Sequence, residues 1–132
     1  DPNDGKLETF DPLYPRLNYF SDAALFVPFN FFDVHPSLQL ALRDDLTLAV
    51  TSDLFFRQSR RDAVYGPRGP VVFGDQSRSR FIGSTTSVLL AWRATPRVEC
   101  AVNYVRFNRG EVIEDAGGEA VDFVTAFVTM RF

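Results

Sequence analysis

From residue 30 onward the chain alternates apolar and polar residues with a period of two, and this pattern constrains its fold more than any other feature. Leu38, Leu40 and Leu42 share one face while Ser37, Gln39 and Ala41 share the other. After a short connection at Arg43-Asp44-Asp45, Leu46, Leu48, Val50, Leu54 and Phe56 continue the apolar face, opposed by Thr47, Ala49, Thr51, Asp53 and Arg57. A third strand is expected from Phe81 to Arg93, with Ile82, Val88, Leu90 and Trp92 on its apolar face. A fourth runs from Arg97 to Phe107, placing Val98, Cys100, Val102 and Tyr104 on that face, and a fifth from Ala120 to Phe132. The helical spacing of i, i+3, i+4 fits these segments poorly.

The connections alternate in length. Three residues join the first pair of strands, the 22 residues Ser59–Arg80 the next, three residues at Ala94-Thr95-Pro96 the third and the 12 residues 108–119 the last. Tight turns on one side and long loops on the other describe an up-and-down meander of the outer-membrane kind. A soluble barrel or surface β-sheet module that holds a ligand on its apolar face has the same periodicity, since alternation does not say which face is buried. Three features favour lipid. The polar face carries charged and amide side chains suited to a wet lumen: Asp53, Arg57, Arg93, Glu99, Asn103 and Arg131. Phe32, Phe56, Trp92 and Tyr104 lie near strand ends, where interfacial aromatic girdles belong, and Phe132 closes the apolar face. The predicted fold class is therefore all-β: an antiparallel up-and-down meander of about five long strands, a partial, C-terminal section of a transmembrane β-barrel. Five strands do not close a barrel, so the 132 residues read as a piece of a larger one.

Residues 1–29, rich in Pro, Asp and aromatic side chains, read as an extracellular loop region with a helical turn at Asp22–Phe26, and residues 30–132 as the meander. The chain starts at Asp1 without an initiator Met or signal-peptide order, as a processed or truncated product would.

Composition removes other classes. With 14 basic against 17 acidic residues the net charge is −3, which argues against nucleic acid as a partner. A single Cys and a single His exclude a disulfide and a structural zinc site of the usual nitrogen and sulfur ligands, and no metal or cofactor is expected. Ser, His and Asp are present, but in no nucleophile elbow, so no enzymatic activity is expected. Gly66-Pro67-Arg68-Gly69-Pro70 lacks the Lys-Ser/Thr ending of a phosphate loop.

Among the basic residues 13 of 14 are Arg, a permanently charged planar donor suited to carboxylates. A turn at 43–45 predicts Leu42 opposite Leu46, His35 opposite Asp53 and Phe31 opposite Arg57. The expected substrate pathway comprises Arg57, Asp53, His35, Arg60, Arg61, Arg93, Asn103 and Arg131 on the lumen face or at the loop start, with Arg57 foremost. The Ser59–Arg80 loop is locally +3, suited to anions or lipopolysaccharide, and faces an acidic loop at 108–119.

Several segments also resemble those of one family. Asp4-Gly5-Lys6-Leu7 with Thr9-Phe10 and Pro12-Leu13-Tyr14-Pro15, then Asp33-Val34-His35-Pro36-Ser37-Leu38, are similar to the later part of alginate export family outer-membrane proteins. Asp53-Leu54-Phe55-Phe56-Arg57-Gln58-Ser59 with Asp62-Ala63-Val64-Tyr65-Gly66 resembles its strand-to-loop segment, and Phe81-Ile82-Gly83-Ser84, Val121-Asp122-Phe123-Val124 and Met130-Arg131-Phe132 its last strands. The resemblance implies a many-stranded barrel in the outer membrane of a Gram-negative bacterium that passes an anionic polysaccharide such as alginate. Implied partners are that polysaccharide, outer-membrane lipid and lipopolysaccharide, the N-terminal strands of the same barrel and, for export, periplasmic export machinery.

Overall fold

A computed structural model describes residues 20–132. Its elements are β1 (Phe31–Val34), β2 (Ser37–Arg43), β3 (Leu46–Arg57), β4 (Val64–Gly66), β5 (Gly69–Val72), β6 (Phe81–Thr95), β7 (Val98–Arg109), α1 (Glu111–Asp115) and β8 (Val121–Met130). All pairings are antiparallel, and the main sheet runs β1-β3-β6-β7-β8 with β2 also on β3. The two short strands β1 and β2 are one strand interrupted at His35-Pro36, where Pro lacks the amide a ladder needs. The ladder crosses the gap through the Ser52 amide, which donates to the Pro36 carbonyl at 3.0 Å.

The expected register holds over most of this hairpin: Phe31 pairs with Arg57, Leu38 with Val50 and Leu40 with Leu48. It fails at the turn. Arg43 pairs with Leu46 and Leu42 is bulged out, so only Asp44-Asp45 remain in the connection. A second bulge, between Phe55 and Phe56, pairs Phe56 with Phe81 and turns Ile82 inward, where it is fully buried rather than on the apolar outer face. The long loops are more ordered than expected. Residues 59–80 contain the β4–β5 hairpin and a short 3-10 turn, and residues 108–119 contain α1. The helical turn expected at Asp22–Phe26 is instead a single tight turn, closed by the Ala24 amide on the Ser21 carbonyl at 3.1 Å.

Burial is inverted relative to a soluble sheet. The even-numbered apolar face is bare among the described residues: Leu38 is 57% exposed, Val128 60% and Met130 62%. The odd-numbered face is buried in its loop-end half, with Asp53, Phe55, Arg57, Thr85, Asn103, Val105 and Phe107, and opens toward the tight turns, where Gln39, Arg93 and Thr129 are exposed. It is covered at the loop end by residues 20–30, the β4–β5 hairpin and α1. Their apolar side chains join Phe26, Phe55, Val64, Val72, Ile82, Phe107, Val112 and Ile113 in one cluster. The Phe26 ring is central, in edge contact with Phe55 at 5.6 Å and Phe107 at 5.3 Å. Gly83 admits this packing. At its φ of 148° a Cβ would lie 2.5 Å from the Asn108 carbonyl and 2.7 Å from the Phe107 ring. A sheet with its apolar side bare and its polar side filled is built to face hydrocarbon outward, and the fold is a partial section of a transmembrane β-barrel.

Candidate functional site

The inner, odd-numbered face carries the candidate residues, and its chemistry changes along the strands. At the loop end Arg57, the last residue of β3, is wholly buried. Its Nε donates to the Ser79 carbonyl at 2.7 Å and its Nη2 to the Ser77 carbonyl, while Nη1 has no partner. The expected neighbour Asp53 is engaged elsewhere, so the guanidinium binds the loop Ser59–Arg80 and not a lumenal carboxylate. Arg60 and Arg61 lie exposed on that loop, Arg60 within 3.4 Å of the Arg78 carbonyl. The loop is further stapled by Asn30, whose Nδ2 donates to the carbonyls of Ser59 at 2.9 Å and Ala63 at 3.0 Å.

The middle of the face is a hydrogen-bonded floor. His35 and Asp53 meet as their register requires, His35 donating from Nδ1 to Oδ1 of the buried carboxylate. Thr85 donates to the other oxygen at 2.8 Å. One strand further, Ser87 donates to Asn103 Oδ1 at 2.7 Å, and Asn103 Nδ2 donates to Asp22 at 2.8 Å. Thr125 donates to the same Asp22 oxygen at 3.1 Å. Asp22 thus ties the segment before the first strand across β7 and β8. Sequence reasoning missed Asp22, Thr85, Ser87 and Thr125. The contacts of Asp22 span 81 and 103 positions, and no local pattern signals them.

At the tight-turn end the face is wet and charged. Arg93 lies opposite Glu99 in the strand register, and Arg131 approaches the Glu99 carboxylate at 3.7 Å. The two loops are linked by Ser77 donating to Asp115 at 2.6 Å, not by Arg–carboxylate pairs. Glu114 and Glu119 are held instead by Arg109 of their own hairpin, at 3.4 and 3.2 Å.

The expected interfacial aromatics lie on the outer face. Phe32 stacks on Phe56 with centroids 5.1 Å apart, and Phe81 packs beside Phe56 at 5.3 Å. Trp92 marks the opposite end, its Nε1 donating to Asp45 at 2.9 Å. Tyr104 borders a polar outer patch: its hydroxyl donates to Asp122 at 2.5 Å, and Arg106 pairs with that carboxylate. Phe132 follows β8 and is fully exposed.

A family model described as alginate export matches residues 1–127. No curated protein and no solved structure matches the chain. The match covers nearly the whole sequence and agrees with a meander that bares its apolar face and fills its polar one, so the chain belongs to the alginate export family of outer-membrane proteins.

Proposed function

We propose that the inner face is wall of an outer-membrane channel that passes an anionic polysaccharide such as alginate. The inverted burial carries this reading: an apolar outer belt suits lipid, and a hydroxyl, amide and Arg inner face suits a hydrated polyanion. Arg93 and Arg131 stand at the tight-turn mouth, which is periplasmic in this architecture, and Arg60 and Arg61 at the extracellular mouth. Guanidinium groups bind uronate carboxylates through paired N–H donors and stay charged. Glu99 between Arg93 and Arg131 spreads them and leaves that mouth with one surplus positive charge. Asn103, His35 and Asp53 hold the wall between, and Arg57 acts on the pathway through the loop it anchors. The free sides of β1, β2 and β8 pair with the remaining strands of the barrel, because unpaired amides are not tolerated in hydrocarbon.

The test is ion selectivity of the intact barrel in planar bilayers. Arg93→Glu with Arg131→Glu should shift reversal potentials from anion toward cation preference and slow polyuronate passage. Unchanged selectivity would remove the tight-turn mouth from the pathway. Extraction of the protein from membranes by salt or carbonate without detergent would overturn the channel reading altogether.

A further inference from the structure

The interruption at His35-Pro36 brings three side chains together that the channel reading does not use as a set. One ligand atom each from Asp33, His35 and Asp53 lies within 4.8 Å of the others. Asp33 and His35 are two positions apart on the inner face of one strand, and Asp53 is on the strand that pairs with it. Two observations make this more than an acidic cluster. Asp53 is fully buried, yet no Arg or Lys among the described residues compensates it: its hydrogen bonds come from His35 and the neutral Thr85 hydroxyl, and Arg57 turns away to the loop. A buried carboxylate so placed is costly unless a cation sits against it. Asp33, half-buried beside it, makes no hydrogen bond or ion pair with any described residue. The trio therefore has two carboxylates, one imidazole and a deficit of positive charge.

We propose that Asp33, His35 and Asp53 form a binding site for a divalent transition-metal cation of borderline softness, such as Zn2+. Metal–ligand distances of about 2.0–2.2 Å put donor atoms about 3–4 Å apart, so Asp33 closes in by about 1 Å while the hydrogen-bonded His35 and Asp53 part to admit the ion. The imidazole selects against Mg2+ and Ca2+, which prefer all-oxygen shells. Thr85, donating to Asp53 Oδ2 at 2.8 Å, orients the buried ligand as an outer partner does in metal sites. His35 is half exposed, which leaves an entry path and open coordination positions toward water. A bound cation replaces the shared proton between His35 and Asp53 and pins the broken first strand to β3.

The experiment is Zn2+ titration by calorimetry of the intact, untagged barrel in detergent after chelator treatment, with Co2+ absorption as a second probe. The wild type should bind one Zn2+ that His35→Ala abolishes and Asp33→Asn weakens about tenfold or more. Asp33→Asn is the decisive variant, because Asp33 has no partner among the described residues and its amide leaves the fold unchanged. Excess Ca2+ should not compete. Absence of stoichiometric Zn2+ binding to the wild type, or binding that survives both substitutions, overturns the site.

Discussion

Arg57 shows how burial decides what a charged side chain does. Its position at a strand end, on the lumen face and before Arg60-Arg61, suggested a polyanion ligand. The folded chain instead closes over it and presents the Ser77 and Ser79 carbonyls as acceptors. Those carbonyls belong to a loop with few other ties to β3, and truncating the guanidinium leaves them unpaired. Each buried acceptor left without a donor costs about 1–3 kcal/mol, partly returned by relief of the orphaned Nη1. Arg57→Met should therefore free residues 77–80 without unfolding the sheet. Trypsin sites at Arg78 and Arg80 in the folded barrel should be cut about tenfold faster or more. Equal cleavage rates in variant and wild type would mean that the loop is held by something else. The sequence could place Arg57 on the correct face, because parity fixes faces; it could not show a partner 20 residues on whose backbone geometry is set by the loop.

At the scale of elements, what was legible followed the period of two. The strands, their order and most of the register rest on alternation that only a sheet satisfies, and the pairing of His35 with Asp53 followed from that register alone. The misplaced elements are those in which tertiary contacts override local pattern. Ile82 has the spacing of an outward residue, but one bulged position turns it into the core. Helix α1 has five residues, too short to stand by propensity, and exists because Val112 and Ile113 bury against β6 and β7. Residues 20–30 carry no period at all, yet they cover the inner face through Phe26 and Asp22. Asp22 receives two hydrogen bonds, from Asn103 and Thr125, each worth about 1.5–3 kcal/mol to a carboxylate. Asp22→Ala should leave the sheet intact but loosen this segment. Its amides, such as Val27, which donates to the Tyr65 carbonyl at 3.0 Å, should exchange with solvent at least about tenfold faster, while those of β6 and β7 do not change. Uniform acceleration across the sheet would show that Asp22 supports the whole fold rather than one segment.

For the whole molecule the question is whether the bare face is dimensioned for a bilayer. On β3 the outward positions run from Leu46, the register partner of Trp92, to Phe56 beside Phe32 and Phe81, apolar except for Ser52. Those ten steps, at about 3.3 Å each, give about 33 Å along the strand, or about 25 Å of height at a tilt of about 40°. That is the height of the outward apolar band of an outer-membrane barrel. The band also steps along the register. Charged outer residues begin at Arg106 and Asp122 on β7 and β8, level with Ser52, whereas on β3 the apolar Leu54 and Phe56 lie beyond that level, and at the other border the outward apolar residues continue after β8 to Phe132 while those of β2 stop at Leu42. Both borders shift the same way, as tilted strands require. Adjacent residues of β8 then give a sharp contrast. Val128, near mid-band, faces outward, and Thr129 faces inward opposite Glu99. In a bilayer Val128→Arg should destabilise the assembled barrel by about 2–4 kcal/mol, and Thr129→Arg, beside a carboxylate in a wet lumen, by less than about 1 kcal/mol. In water the order would vanish, since replacing an exposed Val by Arg is nearly neutral at a surface. Denaturant titration of both variants folded into lipid vesicles measures the difference directly, and equal midpoints would mean that the even-numbered face does not meet hydrocarbon.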